Sequence, residues 1–264
     1  MEAAVEGAAR GPNAEDARQR PAVRFEHVFK AFGARRVLDD VSFEVPWGCG
    51  FVILGRSGSG KSVMLRHVIG LMRPDRGRVC ACGEEISALD GAELSKLRRR
   101  MGFLFQNAAL FDSISVGENV AFPMRRHTDL SDRQIREAAR GKLAAVGLEH
   151  EYDKMPAALS GGMRKRAGLA RALSLDPEVL LVDEPSAGLD PITAAEIDEL
   201  LLGLKQGGGV TLIVVTHNIP SARKLGDTLV MLHDGRLVAQ GTPEDMSHSG
   251  NEIVQAFMTS EYAG

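Results

Sequence analysis

The sequence has no apolar run long enough to span a membrane. Val179–Val182 and Leu212–Val215 are four residues each, strand length, whereas a span needs roughly 18 to 20 residues. Charge of one sign is also missing. Lys and Arg total 32 against 35 Asp and Glu, a net charge of −3. That excludes a bulk attraction for nucleic acid or anionic lipid and leaves only local patches. Cysteine is scarce: Cys49, Cys80 and Cys82 are an odd number without zinc-ligand spacing. They read as free cytosolic thiols rather than a disulfide framework. The N-terminus lacks a signal-peptide pattern, and no internal repeat is visible. At 264 residues, 44% apolar and 25% charged, the chain has ordinary globular composition, enough for one large domain or two small ones.

Alternation marks strands at Val23–Val28 and Val41–Val45, and Phe51–Leu54 is a buried strand ending in glycine. A short strand is predicted over Arg78–Ala81. From Phe111 to Leu175 the pattern is mainly helical. Ser131 and Gln134 form a capping box, Ile135, Ala139, Leu143 and Val146 recur at helical spacing, and Gly147 fits a C-terminal cap. Strand and helix then alternate again. Val179–Val182 is a strand, Asp190-Pro191 opens a helix that buries Ile197, Leu200, Leu201 and Leu204, and Val210–Val215 is a strand. Asp234-Gly235 is a hairpin turn. Such interleaving predicts an α/β fold with a mainly parallel sheet covered on both faces. Residues 1–21, rich in Ala, Gly, Glu and Arg, read as a disordered leader.

Gly55-Arg56-Ser57-Gly58-Ser59-Gly60-Lys61-Ser62 matches a phosphate loop in its strand-to-helix setting. Glycines let backbone N–H groups wrap a phosphate chain, and the helix start adds orphan donors. Lys61 brings charge to the terminal phosphates and Ser62 offers a hydroxyl to Mg²⁺. Val179–Val182 ends in Asp183 and Glu184. Asp183 is placed to reach the metal through water, and Glu184 to polarise an attacking water. The pair predicts a purine nucleoside triphosphatase. Ser160-Gly161-Gly162 caps a second helix, Arg164 to Leu175, and is another anion-grade helix start. One phosphate loop with two such starts suggests that the second serves the nucleotide of another copy.

These residues, with Gln106 after Phe103-Leu104-Phe105, Ser186-Ala187-Gly188-Leu189-Asp190 and His217, stand in the order of the ATP-binding cassette (ABC) transporter ATPases, which the chain resembles over about residues 23 to 243. Ser160 lies 23 residues before Asp183, as in that family. Within it the chain is most similar to the ATPases of MCE-linked, Mla-type lipid transporters. The residues that carry this are Gly60–Val63, Phe103–Ser113, Val116–Pro123 and Leu159–Ala172, where Met163-Arg164-Lys165-Arg166 replaces a glutamine-rich stretch.

The resemblance implies a P-loop NTPase (RecA-like) core with an antiparallel β subdomain and a helical signature subdomain. The cassette would span 22–245, its helical part about 107–175, followed by a C-terminal tail, 246–264. It implies ATP and Mg²⁺ as ligands. The phosphate loop and Val63 would hold the nucleotide, and Phe32 would stack on adenine. Ser62, Gln106 and Asp183 would serve Mg²⁺, and Glu184 and His217 would be catalytic. Ser160, Gly161, Gly162 and Asp190 would act across a homodimer seam. That dimer would sit beneath two copies of a permease, peripherally on the cytoplasmic face of the inner membrane, and move phospholipid between membranes. An MCE-type lipid-binding protein and a small regulatory subunit are possible partners, and nucleic acid is not expected. Two other readings are an importer ATPase for another solute and a soluble ATPase acting on nucleic acid or ribosomes. The chain departs from the family at Val63, which lacks a hydroxyl for the α-phosphate, and at Asn218, where aspartate is common. Lys96, Arg98, Arg99 and Arg100 read as a solvated helix end.

Overall fold

The computed structural model describes residues 20–260, so most of the predicted leader lies outside the described residues. A four-stranded antiparallel sheet has the order β2-β1-β4-β5, formed by β1 (Val23–Phe32), β2 (Arg35–Val45), β4 (Arg76–Ala81) and β5 (Glu84–Glu85). The main six-stranded sheet has the order β10-β9-β3-β8-β7-β6. Its strands are β3 (Gly50–Leu54), β6 (Met101–Leu104), β7 (Val179–Asp183), β8 (Thr211–Thr216), β9 (Thr228–His233) and β10 (Arg236–Gly241). Only the β9–β10 hairpin, turned by Asp234 and Gly235 at positive φ, is antiparallel.

Two apolar layers explain the continuous runs in the central strands. Val52, Leu54, Leu180, Val182, Leu212 and Val214 face one core, whereas Phe51, Ile53, Leu181, Ile213 and Val215 face the other. A strand covered on both sides has no reason to alternate polarity. The second core joins the two sheets. Phe25 stacks on Phe43 and Phe43 on Phe51, with ring centroids 4.5 and 5.2 Å apart. Each such pair contributes about 0.5–1.5 kcal/mol beyond its burial. Asp39 adds a polar tie, accepting from Arg36 at 2.8 Å and from Arg236 Nε on β10 at 2.8 Å.

The helices are α1 (Lys61–Val68), α2 (Gly91–Arg99), α3 (Val116–His127), α4 (Asp132–Ala144), α5 (Gly161–Ala172), α6 (Pro191–Gly208), α7 (Ile219–Leu225), α8 (Pro243–Ser247) and α9 (Glu252–Thr259). The Ser131–Gln134 capping box opens α4, whose Ile135, Ala139 and Leu143 are buried. Asp190 caps α6 with Pro191 at its first position, and Gly209 ends it in the left-handed region. The predicted helix through Leu175 stops at Ala172 with Leu173 as its cap. Beyond residue 245 the chain forms the end of α8 and all of α9, whose Val254 and Met258 join the first core.

The basic cluster is not simply a solvated helix end. Arg98 donates to the carbonyls of Ile69 and Gly70, and Arg100 donates to Glu178 and the Cys82 carbonyl. These side chains bridge segments distant in sequence, and such partners are invisible to a local pattern. No helix of the described residues is long and apolar enough to cross a membrane.

Candidate functional site

Strand β3 delivers the glycine-rich loop to the start of α1, at the carboxyl ends of the parallel strands, where open α/β sheets place ligands. Gly60 sits at φ 108°, and a Cβ there would meet the Val37 carbonyl oxygen at 2.9 Å. Only glycine holds that turn without strain. Lys61 is 5% exposed. Its Nζ donates to the carbonyls of Gly55 (2.7 Å) and Arg56 (3.1 Å) and lies 3.3 Å from Glu184 Oε1.

Ser62 Oγ donates to Asp183 Oδ1 at 2.8 Å, which joins α1 to the end of β7. Burial pushes the Asp183 carboxyl above its ordinary range, and the Ser62 hydroxyl opposes that rise. Glu184 is buried, and its φ of 47° puts it in the left-handed region. Its Oε2 lies 2.9 Å from His217 Nδ1, so the imidazole fixes the carboxylate from the side opposite Lys61.

The cleft over these groups has a volume of about 390 Å³. Ser57, Gly58, Gly60, Lys61, Ser62 and Val63 form its floor, and Phe32, Gln106, Glu184 and His217 reach it from four other segments. Phe32 ends β1 half-exposed at the rim of the cleft, with Lys30 Nζ 5.7 Å from its ring centroid. The residues fit a magnesium triphosphate on chemistry alone. Ser62, Gln106 and Asp183 offer the oxygen donors that a hard cation prefers. Ser59 Oγ is buried within the loop with no hydrogen-bond partner.

Ser160, Gly161, Gly162 and Asp190 do not line this cleft. Ser160 is exposed and its Oγ accepts from the Met163 N–H at 3.2 Å; Gly161 is exposed beside it, whereas Gly162 is buried. Asp190 accepts from the N–H groups of Ile192 and Thr193 and from the Thr193 hydroxyl. The two turns touch: a Cβ on Gly162 would stand 2.4 Å from Thr193 Cγ2. Hence the chain assembles the phosphate loop, Asp183, Glu184, Gln106, Phe32 and His217 in one place and the Ser160–Asp190 pair in another.

Sequence reasoning missed three participants. Arg35 and Arg66 line the cleft, and Arg35 donates to the Gly58 carbonyl at 3.1 Å. Lys165 is buried, and its Nζ donates to the Glu184 carbonyl at 2.8 Å. Burial pushes its ammonium below the ordinary lysine range, and the carboxylates of Glu184 and Asp183 oppose that fall. Charged residues in loops and capped helices read as solvated, and of the three only Lys165 lies in a stretch the sequence marked out, Met163-Arg164-Lys165-Arg166.

The sequence profile of the ABC transporter family matches residues 38–187. A probable ribonucleotide transport ATP-binding protein of Mycobacterium leprae is 41% identical over 92% of this chain and 70% of its own length. The chain spans 66% of the corresponding Mycobacterium bovis protein. The intermembrane phospholipid transport ATP-binding protein MlaF of Haemophilus influenzae is 39% identical over 88% of both chains. Among solved structures, a dimeric ATP-binding cassette in a post-hydrolysis state with ADP and phosphate is 34% identical. It superposes with a TM-score of 0.78 over 84% of this chain and 98% of that one.

Proposed function

The chain belongs to the ABC transporter family of ATP-binding proteins, and from that premise we propose that two copies form the motor of a phospholipid transporter working between inner and outer membranes. It is an ATPase coupled to transport. Lys61, Ser62 and the loop amides hold the triphosphate, and Phe32 stacks on the base. Ser62, Gln106 and Asp183 would hold Mg²⁺, which would supply positive charge to offset that of the phosphates. Glu184 accepts the proton of the attacking water while the bond between the γ-phosphorus and the bridging oxygen breaks, releasing ADP and phosphate. His217 keeps the Glu184 carboxylate facing the cleft. Rate enhancement comes from positioning and charge stabilisation rather than from a covalent intermediate.

One observation carries the dimer. The Ser160 turn is an anion-grade helix start that does not line its own chain's cleft, which supports a second copy bringing it to the nucleotide. The dimeric cassette with ADP and phosphate supports this. The motor needs a membrane partner, because no helix of the described residues is long and apolar enough to cross a bilayer. A groove of about 510 Å³ between the main sheet and α3, lined by Phe103, Phe105, Phe111 and Phe122 with Arg98 and Arg99, suits a permease helix. Phe111 and Phe122 are each about half exposed, an apolar patch of the kind that marks a binding surface. Two permease copies would place the chain on the cytoplasmic face of the inner membrane. An MCE-type lipid-binding protein and a small regulatory subunit complete the assembly.

Mixing two inactive variants tests the shared site. Lys61→Ala removes the phosphate lysine, and Ser160→Arg blocks the turn offered to the partner. A mixed dimer keeps one intact site, so random pairing should restore about one quarter of wild-type activity. No recovery, with mixed dimers shown to form, would refute the composite site. The cargo is tested separately: phospholipid copurifying with the detergent-extracted complex supports the lipid reading. A second reading, a polar solute, is favoured by the mycobacterial ribonucleotide transport relatives. It would be supported by nucleoside phosphates bound to the complex outside the ATP sites.

A further inference from the structure

Helix α5 sends a lysine into the protein interior. Lys165 is 5% exposed, and its Nζ donates to the Glu184 carbonyl at 2.8 Å. A charge so placed is costly unless the contact it makes matters. Glu184 has a need for it. A residue with a Cβ holds φ 47° only where its surroundings fix the backbone. The Glu184 N–H donates to the Val215 carbonyl on β8 at 2.9 Å, and its own carbonyl accepts from the Ala187 N–H at 3.2 Å and, more closely, from the Lys165 ammonium at 2.8 Å. The following residue is Pro185, whose nitrogen carries no hydrogen and makes no such tie.

The rest of α5 is fastened to the same neighbourhood at every third residue. Gly162 abuts Thr193 beside Asp190. Three residues past Lys165, Gly168 leaves room for Ala108, where an added Cβ would stand 2.9 Å from the Ala108 Cβ. Arg171 then donates to the carbonyls of Ala108 and Ala109 at 2.8 and 2.7 Å, just beyond Gln106. The helix that begins at the partner-facing Ser160 is therefore in contact with the Asp190 turn, with Glu184 and with the segment carrying Gln106.

We infer that Lys165 is a positioning residue for ATP hydrolysis: it holds the Glu184 backbone in the posture that aims its carboxylate between Lys61 and His217, and it ties that posture to the seating of α5. The inference deepens the proposed function and rests on Glu184 as the group that takes the proton from water. Lys165 does not line the cleft. Its effect falls on turnover rather than on binding. Because α5 also carries Ser160, engagement of one chain with its partner's triphosphate is linked to that chain's own Glu184 by a single hydrogen bond.

The test compares Lys165→Met, Lys165→Gln and Glu184→Gln in the full-length dimer. It measures kcat and KM by phosphate release, ATP affinity by calorimetry and the melting midpoint. Methionine keeps the length of the chain without a donor, whereas glutamine still offers an N–H. Lys165→Met should lower kcat by about 10- to 100-fold with KM and ATP affinity within about threefold of wild type. Lys165→Gln should stay within about fivefold of wild-type kcat. Near-wild-type turnover by Lys165→Met beside an inactive Glu184→Gln overturns this inference alone. Wild-type turnover by Glu184→Gln overturns the reading of the site on which it rests. Equal damage in both lysine variants, or ATP affinity falling with kcat, also overturns the inference and leaves Lys165 a packing role. If Lys165→Met does not fold, Lys165→Gln decides: kcat close to wild type at unchanged KM supports the inference, and turnover as low as Glu184→Gln overturns it.

Discussion

Replacing glycine by alanine should have opposite signs at two places in this chain. At Gly60 the backbone has φ 108° and a new Cβ would stand 2.9 Å from the Val37 carbonyl oxygen and 3.0 Å from Val37 Cγ1. Strain of that kind costs about 1–3 kcal/mol, and forced overlap in a packed region costs about 1–3 kcal/mol more. Relief requires the start of α1, with Lys61 and Ser62, to shift away from β2. If about 2 kcal/mol of the total surfaces as lost ATP binding, affinity falls about 30-fold. Gly203 is the control. It lies exposed inside α6, at ordinary φ, with no heavy atom within 4 Å of an added Cβ. Alanine there should stabilise by about 1 kcal/mol and raise the melting midpoint by about 2–4 °C. Calorimetric titration with ATP and thermal melting of both variants read the two effects. Gly60→Ala binding ATP as wild type does would refute the reasoning, because the loop would then tolerate the displacement that the geometry demands.

Two further outcomes are expected. Phe32→Ala should weaken ATP binding about fivefold, the equivalent of about 1 kcal/mol of lost stacking; an unchanged dissociation constant would remove Phe32 from the site. Asp198 is buried, accepts from Ser221 Oγ at 2.6 Å through Oδ2, and leaves Oδ1 without a partner. Burial raises its pKa above the ordinary 3.8, so the folded chain holds that proton more tightly than the unfolded chain. Its contribution to stability is then complete below the unfolded value and declines as pH rises through the folded one. Asp198→Asn should therefore gain stability relative to wild type between pH 4 and 7.5 in urea unfolding. A stability difference independent of pH would contradict this.

Much of the fold was legible because its signals are local. The phosphate loop, the Ser131–Gln134 box, the Asp190-Pro191 start and the Asp234-Gly235 hairpin each depend on residues a few positions apart. The apolar runs of β7 and β8 announced strands covered on both faces. Strand order did not show itself, because β3 pairs with β8 and β9 far along the chain and no local pattern encodes partners. Within the site, residue types with one obvious chemistry, such as Lys61, Asp183 and Glu184, stood out in the sequence, and the fold brings them together. Lys165 was not, since Met-Arg-Lys-Arg at a helix start looks solvated. Its burial depends on the carbonyl of a residue 19 positions away. Arg98 and Arg100 misled for the same reason.

The contact between Gly162 and Thr193 has a mechanical meaning. It joins the two parts of the surface proposed to meet a twin molecule into one block, like two prongs of a single plug. Neither can be offered while the other is withheld. A partner approaching at the wrong tilt would engage neither prong, so docking should have no half-seated state that burns fuel without moving cargo.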